Sequence, residues 1–263
     1  MDDRTLLERM LRHDRALVIG GLALLVSLSW AYLILGLDAG DEKMAGMVMP
    51  MSVMPWTLDR WGLMLSMWLV MMAAMMLPSA APMVLLYARV ARSRSTEGSP
   101  ANGTITFVLG YAAVWGGFSV GAVLLQFWLE ELALLSPRLE LTSLVLAASV
   151  LIAAGAYQWT PWKHACLQRC RSPLDFVLTH WRSGAGGAFI MGIRHGLYCV
   201  GCCGLIMLLL FVGGIMNLYW IGLLAALVLG EKLLPGGQWL SRLAGVALIG
   251  WGVAALLHLG LPV

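Results

Sequence analysis

The chain has 263 residues, of which 60% are hydrophobic and 12% are charged, and its formal net charge is +3. Soluble globular domains carry about 25% charged residues, so this chain has too few to cover a water-facing surface of its own size. The composition excludes a disordered chain, a nucleic-acid-binding module and a disulfide-rich secreted scaffold, and it leaves a multi-span membrane protein.

Seven stretches are apolar enough to be membrane helices, each of which needs about 20 residues. They are Ala16–Leu37, Trp61–Tyr87, Ile105–Leu129, Leu141–Trp159, Ala188–Val212, Met216–Leu234 and Ala244–Leu261. The first is predicted to be a retained anchor, because no cleavage pattern follows it and further spans do. We therefore predict an all-α fold, a polytopic transmembrane helix bundle of about seven spans that forms a single domain over residues 1–263.

The basic residues are distributed unevenly between the two predicted sides of the membrane. Fourteen of the 17 Lys and Arg residues precede the first span or follow the second, fourth and sixth, whereas Lys43, Arg60 and Arg138 fall on the other side. Because positively charged loops stay inside, the N-terminus is predicted to be cytoplasmic and the C-terminus external. Two connections are long: an outer loop, residues 38–60, and an inner loop, residues 160–187. A short interfacial helix is predicted within the inner loop at Leu174–Ser183.

Methionine is concentrated in one part of the chain. Twelve of the 17 methionines lie between Met44 and Met83. The outer loop holds Met44, Met47, Met49, Met51 and Met54. Thioethers are soft ligands that favour Cu(I), so this spacing predicts metal capture. The alternative is that the loop folds back onto the membrane and uses methionine as an adaptable hydrophobic residue.

The second span repeats the methionines at helical spacing. At 100° per residue, Met64, Met67, Met71 and Met75 fall within an arc of about 80°, and Met72, Met76 and Met83 form an adjacent stripe. A metal-binding face and ordinary core packing both fit this pattern. Pro78 and Pro82 are expected to kink or loosen the inner half of the helix.

The five cysteines form two clusters. The first, His164-x-Cys166-x-x-x-Cys170, lies in the inner loop. Since the cytoplasm is reducing, a structural disulfide is not expected there. A cysteine pair beside a histidine can bind a soft ion, although the spacing is no specific zinc or iron–sulfur pattern. The alternative is that these residues have no ligand role.

The second cluster lies inside the fifth span. His195, Cys199, Cys202 and Cys203 project within about 100° of one another on a helix, and polar groups at this depth usually face a bundle interior or a pathway. His195 and Cys202 are about 10 Å apart along the axis, so one ion cannot take all four ligands. The compact predicted site is Cys199 with Cys202 or Cys203, completed by sulfur from a neighbouring helix, with His195 as a fourth ligand or a next stop.

The depth of each residue in its span links the two helices. Met75 and Met76 are predicted to be level with Cys199–Cys203, which gives a mixed thioether–thiolate site if the helices are neighbours. The alternative for these cysteines is that they are small buried hydrophobic residues. Arg194 and Glu231 are predicted to reach a similar depth in a hairpin and to form an ion pair, unless each reaches the inner surface separately.

Four segments carry a family resemblance. They are the Met-rich outer loop into Pro55–Trp56, WLVMMAAMMLPS from Trp68 to Ser79, YQWTPWKHACLQRCRSP from Tyr157 to Pro173, and HGLYCVGCC from His195 to Cys203, which leads to GGIMNL and to EKLLPGG at Glu231–Gly237. The chain resembles the family of predicted metal-binding integral membrane proteins, a domain of unknown function that is copper-chaperone-like. The resemblance implies a multi-pass protein of the bacterial cytoplasmic membrane that binds a metal.

These observations predict a protein that handles Cu(I) in copper transport or delivery. The outer loop captures the ion, Met71, Met75 and Met76 pass it to Cys199, Cys202 and Cys203, and His195, His164, Cys166 and Cys170 lie at the inner end. The expected partners are the lipid bilayer, the metal ion and a periplasmic or membrane protein that accepts copper, with no nucleic acid. The alternatives are a membrane thiol–disulfide oxidoreductase that uses Cys199 and Cys202, a copper-dependent oxidase or a subunit of one, and a structural partner in a larger complex.

Overall fold

The computed structural model of the protein describes residues 16–35, 55–94, 100–136 and 139–257. Ten helices account for most of these residues. They are α1 (Ala16–Leu35), α2 (Leu58–Arg94), α3 (Pro100–Glu131), α4 (Leu144–Tyr157), α5 (Pro161–Arg171), α6 (Pro173–His180), α7 (Gly184–Leu208), α8 (Leu210–Gly213), α9 (Leu218–Leu233) and α10 (Gly237–Leu256). In this part of the chain, β-structure is limited to one isolated bridge between Leu135 and Leu141. The predicted all-α fold is confirmed.

Among the described residues, five helical segments are long and apolar enough to cross a membrane. They are α1, α2, Asn102–Glu131 of α3, the combined α7 and α8, and α10. A sixth candidate is the pair α4 and α5, which are bent by 64° at a short break. All seven predicted spans contain a helix, but two helices are shorter than predicted, with 14 residues in α4 and 16 in α9.

The inner connection is mostly helical. Thr160 caps α5 by accepting a hydrogen bond from the Lys163 backbone N–H, and Pro161 occupies the first turn, where its missing N–H costs nothing. The following helix α6 corresponds to the short helix predicted at Leu174–Ser183. Helix α5 was not predicted; it returns into the bundle and packs against α7 and α9.

The centre of the bundle depends on a close approach between α3 and α7. A Cβ atom at Gly192 would lie 2.0 Å from the Phe107 carbonyl oxygen, so only glycine fits at this crossing. Helix α2 packs on α3, and α4 packs on α10. Helix α2 continues through both Pro78 and Pro82, and its seven methionines are all buried. The methionine face of α2 therefore points into the bundle.

Candidate metal site

Helix α7 presents its cysteines to the interior of the bundle. Cys199, Cys202 and Cys203 are each at most 1% exposed. The thiols of Cys202 and Cys203 both donate to the Cys199 carbonyl oxygen, at 3.2 and 2.9 Å. These bonds within the helix fix the directions of the two side chains. The Cys202 side chain points towards α5, and the Cys203 side chain points towards α2.

The first contact joins α7 to α2. The Cys203 sulfur lies 3.7 Å from the Met76 sulfur, which matches the predicted level of Met76. Met71 and Met75 are also buried in α2, but among the described methionines of this helix it is Met76 that accepts a hydrogen bond from a cysteine thiol.

The second contact joins α7 to α5. The sulfur atoms of Cys202 and Cys170 are 3.9 Å apart. The Cys166 sulfur packs instead against Gly201, where a Cβ atom would lie only 2.7 Å from it. The Tyr157 hydroxyl, at the end of α4, donates to the Gly201 carbonyl oxygen at 2.5 Å and joins α4 to α7. Of the two cysteines of α5, Cys170 therefore faces a thiol of α7, whereas Cys166 faces the backbone of Gly201.

Lys232, which was not predicted as a site residue, contacts Cys199, the remaining cysteine of α7. The Lys232 ammonium lies 2.9 Å from the Cys199 sulfur and donates to the Ser79 hydroxyl, also at 2.9 Å. The Tyr111 hydroxyl is 3.1 Å from the same sulfur. Lys232 is 7% exposed, and a buried ionisable group in a membrane helix is a sign of function. The sequence analysis counted Lys232 among the basic residues that follow the sixth predicted span, so only its position within that apolar stretch could have pointed to this role.

The predicted ion pair between Arg194 and Glu231 is wrong. Both oxygens of the buried Glu231 carboxylate accept hydrogen bonds from Lys163, at 2.8 and 2.9 Å, and Lys163 also donates to Gln158. Arg194 is exposed. A simple hairpin would place α7 directly beside α9 with no helix between them. Instead, α5 supplies the charge that Glu231 faces.

Three hydrogen bonds from Arg171 also join α5 to the end of α9. Its guanidinium donates to the carbonyl oxygens of Glu231, Leu234 and Pro235, at 3.2, 2.6 and 3.0 Å. These oxygens lie at the C-terminal end of α9, where helix carbonyls lack partners within the helix. Because Arg171 directly follows Cys170, the same contacts hold this cysteine in place.

His195 lies one helical turn before Cys199 and is 3% exposed. Its ring stacks on those of Phe107 and Tyr111, with centroid distances of 6.2 and 5.6 Å. Its Nδ1 atom has no hydrogen-bond partner among the described residues. On α5, the Nδ1 atom of His164 is likewise buried and without a partner in the described part of the chain. Both histidines therefore have a nitrogen available to a ligand.

The predicted outer ligands Met47, Met49, Met51 and Met54 lie outside the described residues. The structure does describe the Leu58 end of α2, which follows this loop in the sequence. There Arg60 forms a salt bridge of 2.6 Å with the buried Glu130. The Gln126 amide donates to the Met64 sulfur at 3.4 Å and to Glu130 at 3.0 Å. This polar network fixes the beginning of α2 to the end of α3.

We call Met76, Cys170, Cys199, Cys202 and Cys203 the sulfur cluster. Two sulfurs that each lie about 2.3 Å from one tetrahedral ion are roughly 3.8 Å apart, and the two measured pairs, at 3.7 and 3.9 Å, have this spacing. Over the described ranges, no three His, Cys, Asp or Glu side chains are arranged to hold an ion. Four of the five donors are therefore present as two pairs, while Cys199 contacts Lys232, and side-chain rotation is needed to bring them together around one ion.

Buried thiols and a thioether within apolar helices are ligands for soft metal ions, and they define a class of helical protein that handles such ions. A family model named PpoB2 and described as a copper chaperone matches residues 65–255. The chain belongs to this copper chaperone family. The matched region contains the whole sulfur cluster and begins after the Met-rich loop. Comparisons with curated proteins and with solved structures find no match.

Proposed function

We propose that the protein is a membrane-embedded chaperone that binds Cu(I) as cargo at the sulfur cluster and delivers it to a partner protein. The contact of Cys203 with Met76 is the observation that carries this proposal. It joins a thiol from α7 to a thioether from α2 at 3.7 Å in the buried centre of the bundle. Thioethers are poor ligands for hard cations, so this combination favours Cu(I).

The charges around the cluster support a monovalent cargo. Lys232 places a positive charge against the Cys199 sulfur, and a buried cysteine thiolate needs such a partner in a medium of low dielectric constant. Cu(I) brings a single positive charge and can take over this role. The lysine ammonium is carried on a flexible four-carbon stem, which lets it withdraw towards Ser79 as the ion arrives.

The position of the cluster supports a route through the bundle. In the proposed route, Met47, Met49, Met51 and Met54 of the outer loop capture copper, and the buried face of α2 with Met71, Met75 and Met76 leads it inward. The cluster holds the ion, and His195 and His164 provide the free nitrogens on its inner side.

The proposed location is the bacterial cytoplasmic membrane, with the N-terminus in the cytoplasm. The proposed receiver is a periplasmic or membrane copper-accepting protein.

Copper content tests the proposal directly. The full chain is purified in detergent without oxygen, loaded with Cu(I), passed over a desalting column and measured for copper per chain. We expect bound copper in the wild type and its loss in the triple variant Cys199→Ser, Cys202→Ser, Cys203→Ser. Met83→Leu is the matched control, because Met83 is buried on α2 but outside the cluster. Wild-type protein without copper, or a triple variant that keeps it, would overturn the proposal.

A further inference from the structure

Cys202 and Cys170 are placed differently from the other members of the sulfur cluster. The Cys199 sulfur is occupied by Lys232 and Tyr111, and the Cys203 sulfur faces Met76. The Cys202 sulfur faces another thiol, that of Cys170, at 3.9 Å. These two residues come from different helices, so a bond between them would be a cross-link between α5 and α7.

From this geometry we infer that Cys170 and Cys202 are a redox-active dithiol that forms a reversible disulfide. A disulfide bond is about 2.05 Å long, so the two sulfurs need to approach by about 2 Å, which is within reach of side-chain rotation. Both cysteines are free in this structure. In a reducing compartment a pair of this kind is oxidised only transiently and acts in catalysis or redox sensing.

Exposure assigns different roles to the two thiols. Cys170 is partly exposed, whereas Cys202 is buried. The oxidant is a low-molecular-weight disulfide. The Cys170 thiolate attacks one of its sulfurs, a mixed disulfide forms, and the first small thiol leaves. The Cys202 thiolate then attacks the Cys170 sulfur and releases the second small thiol. The two cysteines lose two electrons and two protons, and the small disulfide gains both.

Neighbouring contacts hold the pair in register. The absence of a side chain at Gly201 lets α5 approach α7 closely, and Tyr157, at the end of α4, donates to the carbonyl oxygen of the same glycine and joins α4 to α7. On the other side of α5, Arg171 binds the carbonyl oxygens at the end of α9. The helix that carries Cys170 is therefore held by contacts with both α7 and α9.

The disulfide would also control copper. It removes two of the five sulfurs from the cluster, so the oxidised chain is expected to bind less Cu(I) than the reduced chain. This consequence rests on the proposed function, whereas formation of the disulfide does not. The two parts are separated by testing the disulfide first in copper-free protein.

The test uses the full chain in detergent, reduced, freed of reductant and of metal, and exposed to oxidised glutathione. Free thiols are alkylated, and the products are identified by intact mass and peptide mapping. We expect three alkylated cysteines in place of the five of the reduced chain, a cross-link between the peptides of Cys170 and Cys202, and its reversal by a thiol reductant. Cys166→Ser is the matched control and should form the same cross-link.

Two single variants test the order of the steps. Cys202→Ser should accumulate a glutathione adduct on Cys170, and Cys170→Ser should form no cross-link to Cys202. A wild-type chain without a disulfide, or one linked through another pair such as Cys199 and Cys202, would overturn the assignment. Copper loading is then compared between the oxidised and the reduced wild type. Equal copper in the two forms would overturn the control of binding, whereas absence of copper from the reduced form would count against the proposed function alone.

Discussion

The sulfur atoms of Cys203 and Met76 lie 3.7 Å apart although the residues are 127 positions apart in the sequence. This contact makes the methionine face of α2 and the cysteine face of α7 parts of one site. The same contact distinguishes Met76 from the other six methionines of α2, which are buried at other positions along the helix. The role of Met76 can therefore be distinguished from that of methionine as a packing residue.

Met76→Leu should weaken Cu(I) binding while the fold is retained. Leucine has a volume similar to that of methionine, and such exchanges usually cost less than about 1.5 kcal/mol of stability. The loss of one thioether ligand should lower the affinity for Cu(I) about tenfold, which corresponds to roughly 1.4 kcal/mol. The affinity is measured by competition with a coloured Cu(I) chelator. Met83→Leu, on the same buried helix, should bind as tightly as the wild type, and equal weakening in both variants would point to a packing effect.

The cluster could be predicted from the sequence only in part. The cysteine face of α7 and the depth of Met76 follow from helical period and span length, which are local properties. The position of Cys170 depends on α5, whose many polar residues indicated a loop. Once α5 returns into the bundle it brings Lys163 to Glu231 and Cys170 to Cys202. No periodicity in the sequence specifies these pairings, because they depend on how one connection folds back.

Lys232 shows a second limit of prediction from sequence. It follows Glu231 directly, and adjacent residues on a helix point about 100° apart. The two charges therefore face different neighbours, α5 in one case and the sulfur cluster in the other. The sequence shows that two charges lie near the end of a span, but the partner of each depends on which helices pack around α9.

Ser79→Ala should destabilise the folded protein modestly. The Ser79 hydroxyl accepts a hydrogen bond from the buried Lys232 ammonium, and loss of one such partner costs about 1–3 kcal/mol. Lys232→Met should cost more, because it also removes the donor to the Cys199 sulfur. Thermal unfolding in detergent measures both. Ser66→Ala is the matched control, since the exposed Ser66 hydroxyl bonds only to Leu63 of its own helix; a loss in this control as large as that in Ser79→Ala would contradict the prediction.

Glu231→Gln should destabilise the protein strongly. The substitution leaves the Lys163 ammonium, which is 0% exposed, without its anionic partner, and breaking a buried pair in this way costs about 3–5 kcal/mol. Asp175→Asn is the matched control. It breaks the pair between Asp175 and Arg169, whose side chains are 54% and 43% exposed, and a surface pair of this kind contributes about 1 kcal/mol or less.

Arg194→Gln completes this comparison. Because Arg194 is exposed and Glu231 is paired with Lys163, its substitution should change the thermal midpoint no more than Asp175→Asn does. A loss as large as that of Glu231→Gln would show that Arg194 and Glu231 are coupled after all. The measurement is thermal unfolding of the four proteins in one detergent.

Gly201→Ala should push α5 away from α7. A Cβ atom at this position would lie 2.7 Å from the Cys166 sulfur, closer than two non-bonded atoms can approach, and overpacking of this kind typically costs about 1–3 kcal/mol. The movement should also separate Cys170 from Cys202, so the yield of their glutathione-driven cross-link should fall. Gly121→Ala is the matched control on α3, because a Cβ atom there meets no other residue within 4 Å.

A second substitution identifies the cause of the loss in Gly201→Ala. Cys166→Ala removes the sulfur that the new methyl group meets, so the double variant should recover both the thermal midpoint and the cross-link yield. Cys166→Ala alone should leave a small cavity and lower stability slightly, without loss of the cross-link. If the double variant is no better than Gly201→Ala, the clash with Cys166 is not what spaces the two helices. Recovery would show that the contact between a glycine and a cysteine sets the distance between the two thiols.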